Sequence, residues 1–315
     1  MKSMQDHLAE YVAARRALGT RLEVPAQMLR RFIKFLARKK ARFITVPLAL
    51  EWSQQSQGVQ RATLAAKLSV VRQFARWLSV IDPRHQVPPR RLLDVRHRRS
   101  KPHIYSNEEI ARLMAEAARL KSPEGMKAPT LETLIGLLAA TGLRPGEAMG
   151  LKTSDVDLQS QVLIVRESKF GKSRQVPIHP TTVAALKRYA QERDRVVRNS
   201  GISFFFVSDH GTALVQPNVR RWFSKISRSC GLRKMFKGNR CGRGPRLQDL
   251  RHTFATRRLV EWYKAGSDVA LQMPKLATYL GHSSVACTYW YIEAVPELLE
   301  LASEFKLAAS EGGRQ

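Results

Sequence analysis

The chain has 315 residues, 43% of them hydrophobic, which is enough for two domains with a core in each. Fifty-four Lys and Arg against 26 Asp and Glu leave a formal charge of +28, an excess that repels itself unless a polyanion neutralises part of it, so nucleic acid is the expected partner. Apolar runs such as Leu134 to Ala140 fall far short of the roughly 20 residues that span a bilayer, which argues against a membrane protein. The opening MKSMQDHLAEYVAARR interleaves both charges and lacks an apolar stretch, so neither signal peptide nor anchor is expected and the cytoplasm is the expected location. Cys230, Cys241 and Cys287 form no CxxC pair and are odd in number, which fits reduced thiols; no structural metal and no cofactor are expected.

From about Asp6 to Val80 the pattern is helical. Leu29, Phe32, Ile33 and Leu36 form one apolar stripe and Leu64, Leu68, Val71, Phe74 and Leu78 another. Arg61, Lys67, Arg72 and Arg76 fall among the positions left over, so this helix can bury one side and turn a basic side to a phosphate backbone, or simply to water. Between Asp82 and Pro102 four prolines break the periodicity, and seven Lys or Arg face one acid, Asp94, as in a basic linker. The divisions are therefore residues 1–82, a helical DNA-binding domain, a linker at 83–102, and a second domain at 103–315. Ser106 and Glu109 have capping-box spacing and start a helix in that second domain.

Leu131 to Ala140 reads as a buried helix ending at Thr141-Gly142, with Arg144 just beyond it. Val162 to Arg166 and Gln175 to Ile178 read as strands around a polar turn that carries Lys169. No acidic residue occurs between Asp209 and Asp249, whereas ten Lys or Arg do, among them Arg220, Arg221 and Lys225, interleaved with Trp222, Phe223 and Phe236. So many unopposed charges favour DNA contact over a solvated face. In the tail, Leu298, Leu301, Ala302 and Phe305 share one helical face, suited to docking on the chain's own domain or on a neighbour.

Four stretches, in order, carry a resemblance. TGLRPGE holds Arg144 with Glu147 behind it, ESKFGKSRQVP holds Lys169, LQDLRHTFAT holds Arg251, and LGHSSVACTYWY holds His282 with Tyr291 nine residues later. The chain resembles the tyrosine recombinases, the phage-integrase family of site-specific DNA recombinases, across roughly residues 103–300 and more weakly across 1–100 as a helical core-binding domain. The resemblance implies a mainly α fold with a small antiparallel β-sheet in the catalytic domain, arranged as a two-domain clamp on double-stranded DNA. It also implies four protomers on two sites, with or without other recombinases, a C-terminal helix able to pack on the neighbouring protomer, and a catalytic set of Arg144, Lys169, Arg251, His282 and Tyr291. Where the family usually has a histidine three residues before the second arginine, this chain has Gln248, which can hydrogen-bond a phosphate but cannot titrate near neutral pH.

Residue chemistry points the same way. Two guanidinium forks match the charge that develops on a phosphodiester under attack, and they never lose their own. A lysine whose pKa is lowered by cationic neighbours can protonate the leaving 5′ oxygen. A phenol with an ordinary pKa near 10 can attack once His282 assists it, leaving a 3′-phosphotyrosine that another 5′ hydroxyl reseals without metal or ATP. Tyr289 competes for this role, but two helical residues turn the chain by about 200°, so only one of the pair faces the site. Trp290 and Phe254 read as core. Two other readings remain: a DNA-binding accessory recombinase with weakened cleavage, supported by Gln248, and a type IB topoisomerase.

Overall fold

The computed structural model describes residues 2–20, 22–55, 58–93, 101–166, 173–197, 201, 203–233, 244–282, 284–286 and 288–289. The chain divides into two compact units, 1–100 and 101–315.

Among the described residues of the first unit, four helices enclose one core: α1 (Met4–Ala17), α2 (Glu23–Arg38), α3 (Val46–Gln54) and α4 (Arg61–Ile81). Both apolar stripes face inward, and Phe32, Val71 and Phe74 are completely buried. Leu64, expected within the second stripe, is only half-buried, since it lies in the first turn of α4. The α1 N-terminus is closed by a Ser3/Asp6 capping box, and Thr45 caps α3.

In the second unit, α5 (Asn107–Ala118) begins at the expected capping box: the Glu109 N–H donates to Ser106 Oγ at 3.1 Å and the Ser106 N–H to Glu109 Oε2 at 3.0 Å. The central helix α6 (Lys127–Thr141) is apolar on most sides, as its place between α5, α8 and α10 requires. It ends at Gly142, whose φ of +62° is the left-handed conformation glycine adopts without strain. The short α7 (Pro145–Met149) follows at once, with Arg144 as its N-cap.

An antiparallel sheet of order β1-β2-β3 comes next: β1 (Val156–Asp157), β2 (Val162–Val165) and β3 (Arg174–Pro177), with Val162 opposite Pro177 and Val165 opposite Arg174. The two expected strands are present, each shifted or trimmed by one residue. Arg166 leaves the ladder to donate to Asp155 Oδ1 at 2.6 Å, and the Ile178 N–H bonds the Gln161 carbonyl instead. The two-residue β1 is too short to leave a periodic pattern. Helices α8 (Pro180–Val196), α9 (Gln216–Ser229), α10 (Leu247–Lys264) and α11 (Val269–Leu280) complete the described α-helices, and a single 3-10 turn, Thr153–Asp155, precedes β1. Phe254 is buried in a small cluster with Leu259, Met273 and Leu280, as expected for a core residue; Trp290, Phe236 and the tail helix lie outside the described residues. Among the described residues no helix is long and apolar enough to cross a membrane, and Cys230 is a free thiol.

Candidate active site

The site is built on the C-terminal end of α11. A helix leaves its last carbonyls without intrahelical partners, and these carry the negative end of the helix dipole. Gly281, at φ +68°, closes α11 with a Schellman-type turn in which the His282 N–H bonds the Ala277 carbonyl at 2.9 Å and the Gly281 N–H bonds Thr278 at 3.0 Å. The next three carbonyls each receive one arginine. Arg174 Nε donates to Tyr279 at 2.8 Å, Arg251 Nη2 to Leu280 at 2.7 Å, and Arg144 Nη2 to Gly281 at 3.2 Å.

Arg251 projects from the second turn of α10 and is 2% exposed. Its Nη1 also donates to the Gly142 carbonyl at 2.9 Å, so the αL turn that ends α6 helps to hold it. Arg144 is the more open of the two expected phosphate ligands, with a side chain 28% exposed. Its Nη1 donates to Glu147 Oε1 at 2.7 Å, so two of the five N–H donors of a guanidinium are engaged and the others remain available to a ligand. Burial pushes the Glu147 carboxyl up, but hydrogen bonds and charge from Arg174 and then from Arg144 outweigh it and hold the group below its ordinary value. The sum is three fixed guanidiniums against one carboxylate, an anion-binding locus made largely of helix ends.

His282 follows Gly281 directly. Its Nδ1 lies 2.7 Å from Thr288 Oγ1, and Thr288 is fully buried. Burial, then the charges of Arg251, Arg144 and Arg174 and the His252 imidazole, lower its pKa to about 4. At neutral pH the ring is therefore uncharged and able to accept a proton. His252 is likewise held at about 4, mainly by burial. Gln248 is half-buried on α10, three residues before Arg251 and therefore on the same helical face.

Lys169 and Tyr291 lie outside the described residues. Tyr289 is described and is 46% exposed. The Tyr263 phenol is raised by burial and then by the charge of Tyr289.

The basic residues expected to contact DNA divide into two groups. On α9, Val219, Phe223 and Ile226 enter the core while Arg220, Arg221 and Lys225 are exposed. On α4, Arg61 and Arg76 are exposed, while Arg72 is half-buried, its Nε and Nη2 donating to the Pro88 and Pro89 carbonyls at 2.8 Å each. Lys67 lies over the Trp52 ring, 5.6 Å from its centre, in a groove of about 670 Å³ that Arg31, Lys34 and Arg38 of α2 also line. Those three cations and Arg174 are absent from the sequence expectations. The α2 trio was findable, because positions 31, 34 and 38 share one helical face opposite the Phe32, Ile33 and Leu36 stripe.

The family model of the phage integrase family matches residues 104–297, and the chain belongs to that family. It is 40% identical over 306 residues, 96% of each chain, to a protein of Sinorhizobium fredii with the provisional name integrase/recombinase y4rB. It is 30% identical over 247 residues to the tyrosine recombinase XerD of Caulobacter vibrioides, covering 78% of this chain and 74% of that one. Among solved structures, the Tn1549 transposon integrase in complex with circular intermediate DNA shares the fold with a TM-score of 0.64 at 18% identity, over 92% of this chain and 95% of that one. The chain is thus a tyrosine recombinase, a DNA breaking and rejoining enzyme of site-specific recombination.

Proposed function

We propose that this recombinase acts on double-stranded DNA through Tyr291 as nucleophile, with Arg144 and Arg251 as the phosphate clamp, His282 as the assisting base and Lys169 as general acid. The Tyr291 oxygen bonds to phosphorus as the bond to the 5′ oxygen breaks; Lys169 gives that oxygen its proton, and His282 receives the proton of the phenol. A second strand's 5′ hydroxyl reverses the step and reseals. Residues 1–82 and 83–102 act as DNA-binding domain and basic linker, residues 103–315 as catalytic domain, and four protomers on two sites exchange strands, alone or with another recombinase. The Tn1549 integrase in complex with DNA and the basic surfaces of both units support the DNA partner.

The observation that carries this reading is the row of three guanidiniums on Tyr279, Leu280 and Gly281, with a neutral imidazole as the next residue. Preorganised cations of this kind stabilise a phosphorane-like transition state without reorganising.

The test is a nicked suicide substrate carrying a cognate site, incubated with the protein in excess EDTA. A covalent protein–DNA adduct is expected, since Arg144, Arg251 and Lys169 supply the positive charge. DNA binding without any adduct would favour the accessory reading that Gln248 motivates. Relaxation of supercoils with no recombinant product would favour a topoisomerase.

A further inference from the structure

Arg174 opens β3, five residues after Lys169, and its side chain is only 10% exposed. A buried cation is costly unless each of its faces is paired. This one is held by the Tyr279 carbonyl on Nε and by both oxygens of Glu147, with Nη2 to Oε2 at 2.8 Å and Nη1 to Oε1 at 3.3 Å. Glu147, itself 8% exposed, also accepts the Arg144 guanidinium on Oε1 at 2.7 Å and the Arg144 N–H on Oε2 at 3.1 Å. A second observation is independent of those bonds. A Cβ at Gly281 would stand 2.7 Å from Arg174 Nη1 and 2.9 Å from Cζ, so the guanidinium is seated directly against the residue that precedes His282.

We propose that Arg174 is a positioning residue for the phosphate clamp: it fixes Glu147 between two guanidiniums, so that Glu147 orients Arg144 toward the scissile phosphate instead of pairing with it fully. Without Arg174, Glu147 keeps one cationic partner, and Arg144 closes onto it as a two-pronged pair with fewer donors left for DNA. The effect falls on phosphate charge and not on the leaving oxygen, although Arg174 follows Lys169 by only five residues in the sequence. This inference rests on the reading of Arg144 as a phosphate ligand.

The experiment compares the full-length wild type with Arg174→Gln and Arg174→Lys in single-turnover cleavage of three suicide substrates. One has an ordinary scissile phosphate, one a bridging 5′-phosphorothiolate whose thiolate leaves without a proton, and one a neutral methylphosphonate. Relative to wild type on the same substrate, Arg174→Gln is expected to be about 100-fold slower and Arg174→Lys about tenfold slower on the ordinary phosphate. The defect should persist on the phosphorothiolate and shrink to within about threefold on the methylphosphonate, which offers the clamp less charge to hold. An equal slowing on all three substrates would mean a merely structural role and overturn the proposal, as would relief on the phosphorothiolate alone, which would assign the effect to Lys169. Thermal melting checks folding, and if Arg174→Gln does not fold, Arg174→Lys carries the comparison. Adduct formation by the wild type tests the underlying reading separately from the pattern across substrates.

Discussion

Two histidines beside the arginines are held near pKa 4 against an ordinary value of 6.5. A group whose folded pKa is depressed contributes stability that is fully present above its unfolded value and is lost as pH falls toward the folded one, because only the unfolded chain takes up the proton in between. Stability of the second unit should therefore fall from about pH 6.5 downward. Glu147, held below its ordinary value, adds a loss of the same sign, but only at lower pH, so the window between about 6.5 and 5 belongs to the histidines. Urea midpoints measured across that window should decline for the wild type and decline less for His252→Asn. A flat wild-type profile would contradict the burial that sets these values. Arg251, Arg144 and His282 could be picked from the sequence as candidates because their boxes carry them in order, and the fold brings all three to the end of α11. Arg174 was not, because its partners lie 27 and 105 residues away and become neighbours only when β3 reaches the end of α11.

At the scale of elements, the site depends on two helices ending correctly. Gly142 terminates α6 in the left-handed region, its carbonyl holds Arg251, and its Cα is pressed against α10 and α11: a Cβ there would lie 2.6 Å from Phe254 Cδ1 and 3.1 Å from Leu280 Cδ2. Phe254 has little room to yield, since it stacks on Tyr279 at 5.6 Å between ring centres. Gly142→Ala should therefore cost about 2–3 kcal/mol, combining backbone strain with overpacking, and should slow cleavage by displacing the Arg251 guanidinium. Equilibrium unfolding in urea and adduct formation together check this; a variant with wild-type stability would mean that the turn tolerates a side chain. The end of α6, the Ser106/Glu109 box and the hairpin strands were readable, since each is a local matter of glycine, capping or period-two chemistry. The diversion of Arg72 to the Pro88 and Pro89 carbonyls was not, because a helix face records charge but not what the following loop presents to it.

Across the whole molecule, the charge of +28 is displayed by both units: Arg61 and Arg76 with the α2 groove in one, Arg220, Arg221 and Lys225 in the other. If these surfaces neutralise many phosphates, DNA binding should weaken roughly a thousandfold or more between about 50 and 200 mM salt. Replacing Arg220, Arg221 and Lys225 together by alanine should lower the salt slope by about two to three, whereas Arg72→Ala should leave it nearly unchanged and reduce stability instead. Fluorescence anisotropy over a salt series measures both, and a slope that does not respond to the α9 triple variant would remove that helix from the DNA interface.

The central claim is that phosphate held at the end of α11 is attacked by one particular tyrosine, and trapping on a nicked suicide substrate measures it most directly. The wild type and Tyr289→Phe should both form the covalent adduct, while Tyr291→Phe should bind the same DNA with nearly unchanged affinity and form none, because the substitution removes only the nucleophilic oxygen. Adduct retained by Tyr291→Phe, or lost in Tyr289→Phe, would contradict the account.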